Sequence, residues 1–218
     1  MSRIIAVDGP TASGKGTLSR RLADHFGFAW LDTGGLYRAT ALRLIRAGGD
    51  GTDVEAAIIA ASGITETDRN DPELRAEATG NMASKVAAMQ AVRDALFDYQ
   101  RDFAANPPGN TAGAVLDGRD IGTVICPDAD VKLFVTASEE VRAGRRHAEL
   151  TAKGQVISLD DVLADLRARD ARDSGRESAP LAAAEDALLI DTSNMDIETA
   201  FSAALKACVA RWNGDGAG

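Results

Sequence analysis

Residues 9–17 read Gly9-Pro10-Thr11-Ala12-Ser13-Gly14-Lys15-Gly16-Thr17, and the segments on either side of them decide the fold. Ahead lies Arg3-Ile4-Ile5-Ala6-Val7-Asp8, a short apolar run with β-branched residues, patterned as a buried parallel strand. Behind come Leu18, Leu22 and Phe26 at four-residue spacing, the buried stripe of a helix. Strand, glycine-rich loop with lysine, helix is the order of a phosphate-binding loop, or P-loop. Gly9 and Gly14 let the backbone turn so that successive N–H groups point inward as an anion nest. The positive end of the helix dipole adds to the same field. Lys15 brings a mobile point charge to the outer phosphates.

Composition narrows what such a loop can serve. The chain has 218 residues, long enough for one domain with insertions and a real core, and 45% of them are apolar. A net charge of −9 argues against a general nucleic-acid or membrane-surface binder, which needs a positive face. Phosphate affinity must then be local, in arginine clusters against an acidic background. Cys126 and Cys208 are the two cysteines; they lie far apart in sequence without metal spacing, and reduced thiols are expected. No signal peptide precedes Ile4 and no apolar run approaches membrane-spanning length, so the expected location is cytoplasmic.

Along the chain, 28–31, 114–117, 131–135 and 187–191 pattern as four further short apolar strands. Helices are predicted over 36–46, 53–62, 91–104, 138–152, 158–170 and 196–212. Residues 63–71 are polar with no clear period, Pro72 opens a helix that can reach Met89, and Gly80-Asn81 is a possible interruption of it. The tail 213–218 is expected to be disordered. Five strands alternating with helices predict an α/β fold, a five-stranded parallel sheet with helices on both faces. In such sheets ligands bind beyond the C-terminal strand ends. Polar residues gather there: Asp8-Gly9, Asp32-Thr33-Gly34, Asp117-Gly118-Arg119-Asp120 and Asp191-Thr192-Ser193.

Phosphoryl transfer needs positioning and charge neutralisation more than covalent help. With residues 9–17 as donor cradle, Tyr37, Arg38 and Arg119 are candidates for an acceptor clamp, since an arginine fork matches phosphate oxygens bidentately. Asp117 stands where a carboxylate could hold magnesium, directly or through water. Arg142, Arg145 and Arg146 share a helical face, as Arg169, Arg172 and Arg176 can; with a P-loop upstream, a lid that closes arginines over the transferring group and excludes water is favoured over a salt-bridged surface. His25 and His147 lack metal-ligand partners, no G-x-S-x-G elbow is present, and no Asn-Lys-x-Asp segment marks a guanine site.

Asp8 to Thr17, Leu31-Asp-Thr-Gly-Gly-Leu-Tyr-Arg38, Ala83-Ser-Lys-Val86 with Val92-Arg93, Asp117-Gly-Arg-Asp-Ile-Gly-Thr123 and Arg169-Asp-Ala-Arg-Asp-Ser-Gly-Arg176 with Pro180-Leu181 together resemble the bacterial cytidylate kinases. A hydroxyl at Thr17, one place after the usual position, likewise resembles the P-loop nucleoside monophosphate kinases (NMP kinases). The resemblance spans nearly the whole chain. It implies transfer of the γ-phosphoryl group of ATP to CMP or dCMP with Mg2+, in pyrimidine nucleotide metabolism. By it, Gly9, Pro10, Thr11, Ala12, Ser13, Gly14, Lys15, Gly16 and Thr17 bind ATP, and Lys15, Arg119, Arg169 and Arg176 are catalytic. Ser84, Arg93 and Asp120 read the cytosine edge; Thr33, Tyr37, Arg38, Arg119 and Arg176 hold the acceptor phosphate and its surroundings. Asp173, with or without Arg169, contacts the pentose, and 191–194 border the adenine. The implied organisation is one kinase domain over 1–218. Its core is 1–38, 105–145 and 180–212, its NMP-binding region about 39–104, and its arginine-rich lid about 146–178. A monomer is implied, with CMP and dCMP as small-molecule partners and neither nucleic acid nor membrane. The sequence departs from the family twice: Ala12 replaces a frequent glycine, acceptable where φ stays negative, and the insert at about 48–80 is short. A P-loop kinase for another small acceptor, or a nucleotide-dependent binding module, are the rival readings.

Overall fold

The structure, a computed structural model, describes residues 2–214. It divides into two compact units, Met1–Leu31 with Ala104–Gly218, and Asp32–Phe103.

The first unit carries the sheet. Its strands are β1 (Arg3–Asp8), β2 (Ala29–Asp32, whose last residue begins the second unit), β3 (Gly113–Gly118), β4 (Val131–Thr136) and β5 (Leu188–Asp191), in the order β2-β3-β1-β4-β5. β1 pairs in parallel with both β3 and β4, and β4 pairs in parallel with β5. Ile5, Ala6 and Val7 are fully buried, which is why β1 reads as a continuous apolar run instead of alternating. The register sets Asp8 opposite Gly118, so β1 and β3 finish at one level, while β4, with Phe134 opposite Asp8, runs two residues further to Thr136.

Two helices complete the core beside the sheet. Leu18, Leu22 and Ala23 of α1 (Lys15–Phe26) join Ala204 and Cys208 of α9 (Ile197–Gly214) in one cluster with Ile5, Val7, Leu133 and Ile190. The tail was expected to begin at Asn213; instead α9 includes Asn213 and Gly214, and 215–218 lie outside the described residues. Aromatic packing of Trp212 on Phe26 and Phe28, with the Arg3 guanidinium 4.5 Å from its ring, holds that end helical. Two helices lie between β4 and β5 in the chain. They are α7 (Glu139–Ala152), capped by Ser138, and α8 (Leu159–Ser174), capped by Ser158, and they close a small core of Ala143, Leu150, Val162 and Leu166.

The second unit is helical. α2 (Thr33–Arg46) is capped by Asp32 and packs with α3 (Val54–Ser62) and α5 (Glu77–Val86) around Leu36, Ala57, Val86 and Val92, the last from α6 (Gln90–Ala105). The polar stretch without a period holds a one-turn helix, α4 (Glu66–Arg69), because Thr65 and Asp68 form a reciprocal capping box and Asp68 also pairs with Arg43 at 3.0 Å. The possible break at Gly80-Asn81 does not occur: Thr79 and Gly80 are buried within α5, and tertiary packing outweighs a glycine cost of about 1 kcal/mol.

Candidate active site

The site in the first unit begins where β1 ends. Gly9 has φ +153, and a Cβ there would overlap the carbonyl oxygen of Val135, so no other residue fits. Gly14, at φ +92, caps α1 and turns the backbone into the helix whose first residue is Lys15. Ala12 does not meet the condition under which alanine was acceptable here: its φ is positive, at +60. The left-handed conformation costs an alanine about 1–2 kcal/mol. Ser13 is fully buried, and its hydroxyl makes no hydrogen bond among the described residues.

Four groups from distant segments fix this loop from outside. Arg119 Nη2 donates to the Thr11 hydroxyl at 2.7 Å, and Arg142 Nη1 to the Thr11 carbonyl at 3.3 Å. Arg145 Nη1 reaches the Ser13 carbonyl at 3.4 Å, and the Thr192 hydroxyl donates to the same carbonyl at 3.0 Å. Arg145 also holds Thr192 itself, through the hydroxyl at 2.9 Å and the carbonyl at 2.8 Å. The bonds that Arg119, Arg142, Arg145 and Thr192 make to the loop fall on its carbonyls and on the Thr11 hydroxyl, not on the backbone N–H groups that an anion nest uses. Lys15 Nζ meanwhile lies 3.3 Å from the Pro10 carbonyl.

Beyond β3, the strand end and α8 supply a compact charged cluster. Arg119 Nε donates to Asp173 Oδ2 at 2.8 Å, and Arg176 makes a short contact with the other oxygen of that carboxylate. Burial would raise the Asp173 carboxyl, but Arg119 and Arg176 outweigh it and hold it below the usual carboxylate range. Likewise burial opposes the Arg119 charge, and Asp173 more than restores it. The cluster holds two arginines side by side and cationic, the state a phosphate needs. Arg169 is buried on the same helix, 3.9 Å from Asp165.

Asp117 is buried, and the Trp30 indole N–H donates to it at 2.8 Å. A buried carboxylate at a strand end is the hard oxygen donor that magnesium takes, with waters and phosphate oxygens completing its shell. Next to it, Asp8 accepts from the backbone N–H groups of Ile121 and Gly122, each at 2.8 Å. Burial pushes the Asp8 carboxyl up to about 7 against those two donors. Asp120, also buried, opens the one-turn segment Ile121–Ile125.

In the second unit, Thr33, Tyr37 and Arg38 lie on the first turns of α2. Asp32 Oδ1 accepts from Gly35 N at 3.0 Å and Oδ2 from Arg38 Nη1 at 3.3 Å, so one carboxylate both caps the helix and directs the arginine. Ser84 on α5 and Arg93 on α6 are buried. A buried arginine needs a dedicated set of acceptors and is seldom used for packing alone.

The structure thus brings Thr11, Arg119, Asp173 and Arg176 together in one unit, and Thr33, Tyr37 and Arg38 together in the other. Arg142, Arg145 and Arg146 lie at three- and four-residue spacing on α7 but take different partners. The first two turn to the P-loop, Arg142 while also pairing with Asp170 at 2.7 Å, and Arg146 pairs with Glu149 at 2.9 Å. Trp30 was not among the predicted site residues; Asp8 and Thr192 were placed only at the ligand rim, and Arg142 and Arg145 only among the lid arginines, without their bonds to the turn after Asp120 and to the P-loop. The arginine spacing on α7 and the polar end of β5 were the signals for Arg142, Arg145 and Thr192, but neither says which atoms of the loop they reach.

Comparison with known proteins adds an independent line. The family model described as Cytidylate kinase matches residues 5–209. A curated protein of Rhodospirillum rubrum named Cytidylate kinase is 56% identical over 202 residues, covering 93% of this chain and 95% of that one. Its namesake from Methylocella silvestris is 57% identical over 202 residues, 93% of this chain and 92% of that one. That from a Caulobacter species is 53% identical over 215 residues, 97% and 98% of the two chains. Among solved structures, an uncharacterized protein from Eubacterium ventriosum superimposes with a TM-score of 0.54 at 14% identity, covering 96% of this chain and 99% of that one. A gluconokinase from Sinorhizobium meliloti does so at 0.51 and 14%, covering 96% and 93%. At such identity these two share the fold alone.

Proposed function

The chain belongs to the cytidylate kinase family, and from that premise we propose that it transfers the γ-phosphoryl group of ATP to CMP or dCMP, giving ADP and CDP or dCDP. The observation that carries the reading is the arginine pair Arg119 and Arg176, gathered by one buried carboxylate, with Arg119 also bonded to the P-loop through Thr11. Such a pair suits the region between a donor and an acceptor phosphate.

In this reading residues 9–17 cradle the phosphates of ATP, with Lys15 on the outer ones. The acceptor phosphate is held by Arg119 and Arg176 and by Thr33, Tyr37 and Arg38. Ser84, Arg93 and Asp120 meet the cytosine edge, where a carboxylate accepts from the exocyclic amine. Asp173 serves the pentose and the arginines together. Residues 191–194 border the adenine, and Arg169 joins Lys15, Arg119 and Arg176 in neutralising charge that develops on the transferred group. Asp117 would hold Mg2+, directly or through water, and the ion would supply further neutralisation there. No general base is required, because the acceptor phosphate is already an anionic nucleophile at neutral pH. Residues 39–104 act as the NMP-binding region, with a short insert at 48–80, and 146–178 as the lid within one kinase domain. Among the described residues no helix is long and apolar enough to cross a membrane. We read the enzyme as a cytoplasmic monomer.

The test is ADP formation from ATP and magnesium with CMP, dCMP, UMP, AMP and GMP offered one at a time. Turnover confined to CMP and dCMP supports the reading; preference for another acceptor contradicts it.

A further inference from the structure

Asp120 occupies the capping position of the turn Ile121–Ile125, yet its side chain makes no capping bond there. Aspartate is among the residues that cap most readily, so this is a departure from local preference. The backbone of the turn is closed from within: Val124 N and Ile125 N both donate to the Asp120 carbonyl, at 2.9 and 3.2 Å, and Cys126 N donates to the Ile121 carbonyl at 2.6 Å. What the turn cannot supply is an acceptor for its first two N–H groups, those of Ile121 and Gly122. Asp8 supplies both, one carboxylate oxygen to each, from the end of β1 and 113 and 114 positions away in sequence. Gly122 makes room for it: a Cβ there would lie 3.4 Å from Asp8 Oδ2 and 3.3 Å from the Lys132 side chain.

We propose that Asp8 is the positioning residue for base recognition: it caps the turn in place of Asp120, and so sets the direction of the Asp120 carboxylate toward the cytosine. The inference deepens the functional reading given above, and rests on Asp120 as the cytosine reader. Asp8 touches neither substrate nor reacting atoms in this account. It acts through the backbone, and because a carboxylate has two acceptor oxygens it holds adjacent N–H groups at once. An asparagine of the same shape has one acceptor and one donor, and must present its NH2 to an N–H group.

The experiment joins two measurements on the full chain. Hydrogen exchange of the Ile121 and Gly122 amides in the wild type comes first, and slow exchange at both is expected. In Asp8→Asn one of the two should exchange at least about tenfold faster. Loop-like exchange at both amides in the wild type would overturn the proposal even if the variant failed to fold. Then KM and kcat are measured with CMP and with UMP for wild type, Asp8→Asn and Asp120→Ala. Asp8→Asn should raise KM for CMP about tenfold and shrink the CMP-over-UMP preference in the same direction as Asp120→Ala, with KM for ATP within about twofold. A preference lost in Asp120→Ala but intact in Asp8→Asn overturns the role of Asp8 and leaves the cytosine reading standing. A preference intact in Asp120→Ala removes the cytosine reading, and the role of Asp8 with it.

Discussion

Arg119 meets Asp173 through Nε at 2.8 Å and, with its far nitrogen Nη2, the Thr11 hydroxyl at 2.7 Å. One side chain thus ties the end of β3 to α8 and to the P-loop. Both members of the ion pair are largely withdrawn from water, with side-chain exposures of 17% and 5%, so neither can lose its partner cheaply.

Asp173→Asn should therefore destabilise the chain by about 3 kcal/mol at pH 7, since it leaves Arg119 and Arg176 without their carboxylate. The pH dependence follows from the lowered Asp173 carboxyl. Its stabilising contribution is present above the unfolded value of 3.8 and is lost as pH falls through the folded one. Urea unfolding of both proteins at pH 7 and near the acid limit checks this. The gap between them should close on acidification, and a gap that widened would refute the pairing.

Ala12→Gly should be stabilising. The alanine stands at φ +60, a strain of about 1–2 kcal/mol that glycine does not feel. Glycine's larger unfolded-state entropy returns about 0.4–1 kcal/mol of that. A net gain of about half to one kcal/mol corresponds to a Tm rise of about 2 °C in a chain of this size. Calorimetry decides, and a lower Tm would show that the strain is absorbed elsewhere.

How much of this was legible in the sequence depends on how local each feature is. β1, the P-loop and α1 declare themselves because strand, glycine turn and helix stripe are contiguous, and the same holds for the Ser138 and Ser158 caps. The capping box of Thr65 and Asp68 is equally local, but it sits among polar residues with no hydrophobic period to draw attention to it. Alanine at position 12 gives no sign of its positive φ by its own preference; only the glycine that the resembled family often has there hints at it. Arg142 and Arg145 attract notice as charges, but only the placement of α7 shows that they grip the P-loop while Arg146 faces a glutamate. Asp8 and the turn after Asp120 are joined by sheet register, which a single sequence does not reveal.

Arg145→Ala and Thr192→Val each remove a bond to the Ser13 carbonyl, and should loosen the donor cradle without touching the acceptor residues. Each is expected to raise KM for ATP about tenfold, with KM for CMP within about twofold. Together they should cost less than the product of the two, because Arg145 also bonds Thr192. Steady-state kinetics of the two single variants and the double variant gives the coupling.

Trp30→Phe keeps the packing of a ring and deletes the N–H that orients Asp117. If Asp117 holds magnesium, the Mg2+ concentration for half-maximal activity should rise by about three- to tenfold. An unchanged magnesium requirement would mean that the Trp30 N–H does not orient a magnesium ligand.

The central claim, that this chain phosphorylates a cytosine nucleotide and reads the base with Asp120, is tested most directly by following ADP formation. Wild type and Asp120→Ala are compared with CMP, dCMP, UMP, AMP and GMP offered separately. The account predicts strong turnover of CMP and dCMP by the wild type, and a fall of about tenfold or more in kcat/KM for both in the variant. Equal or better turnover of another acceptor, or an Asp120→Ala enzyme that handles CMP as the wild type does, would contradict it.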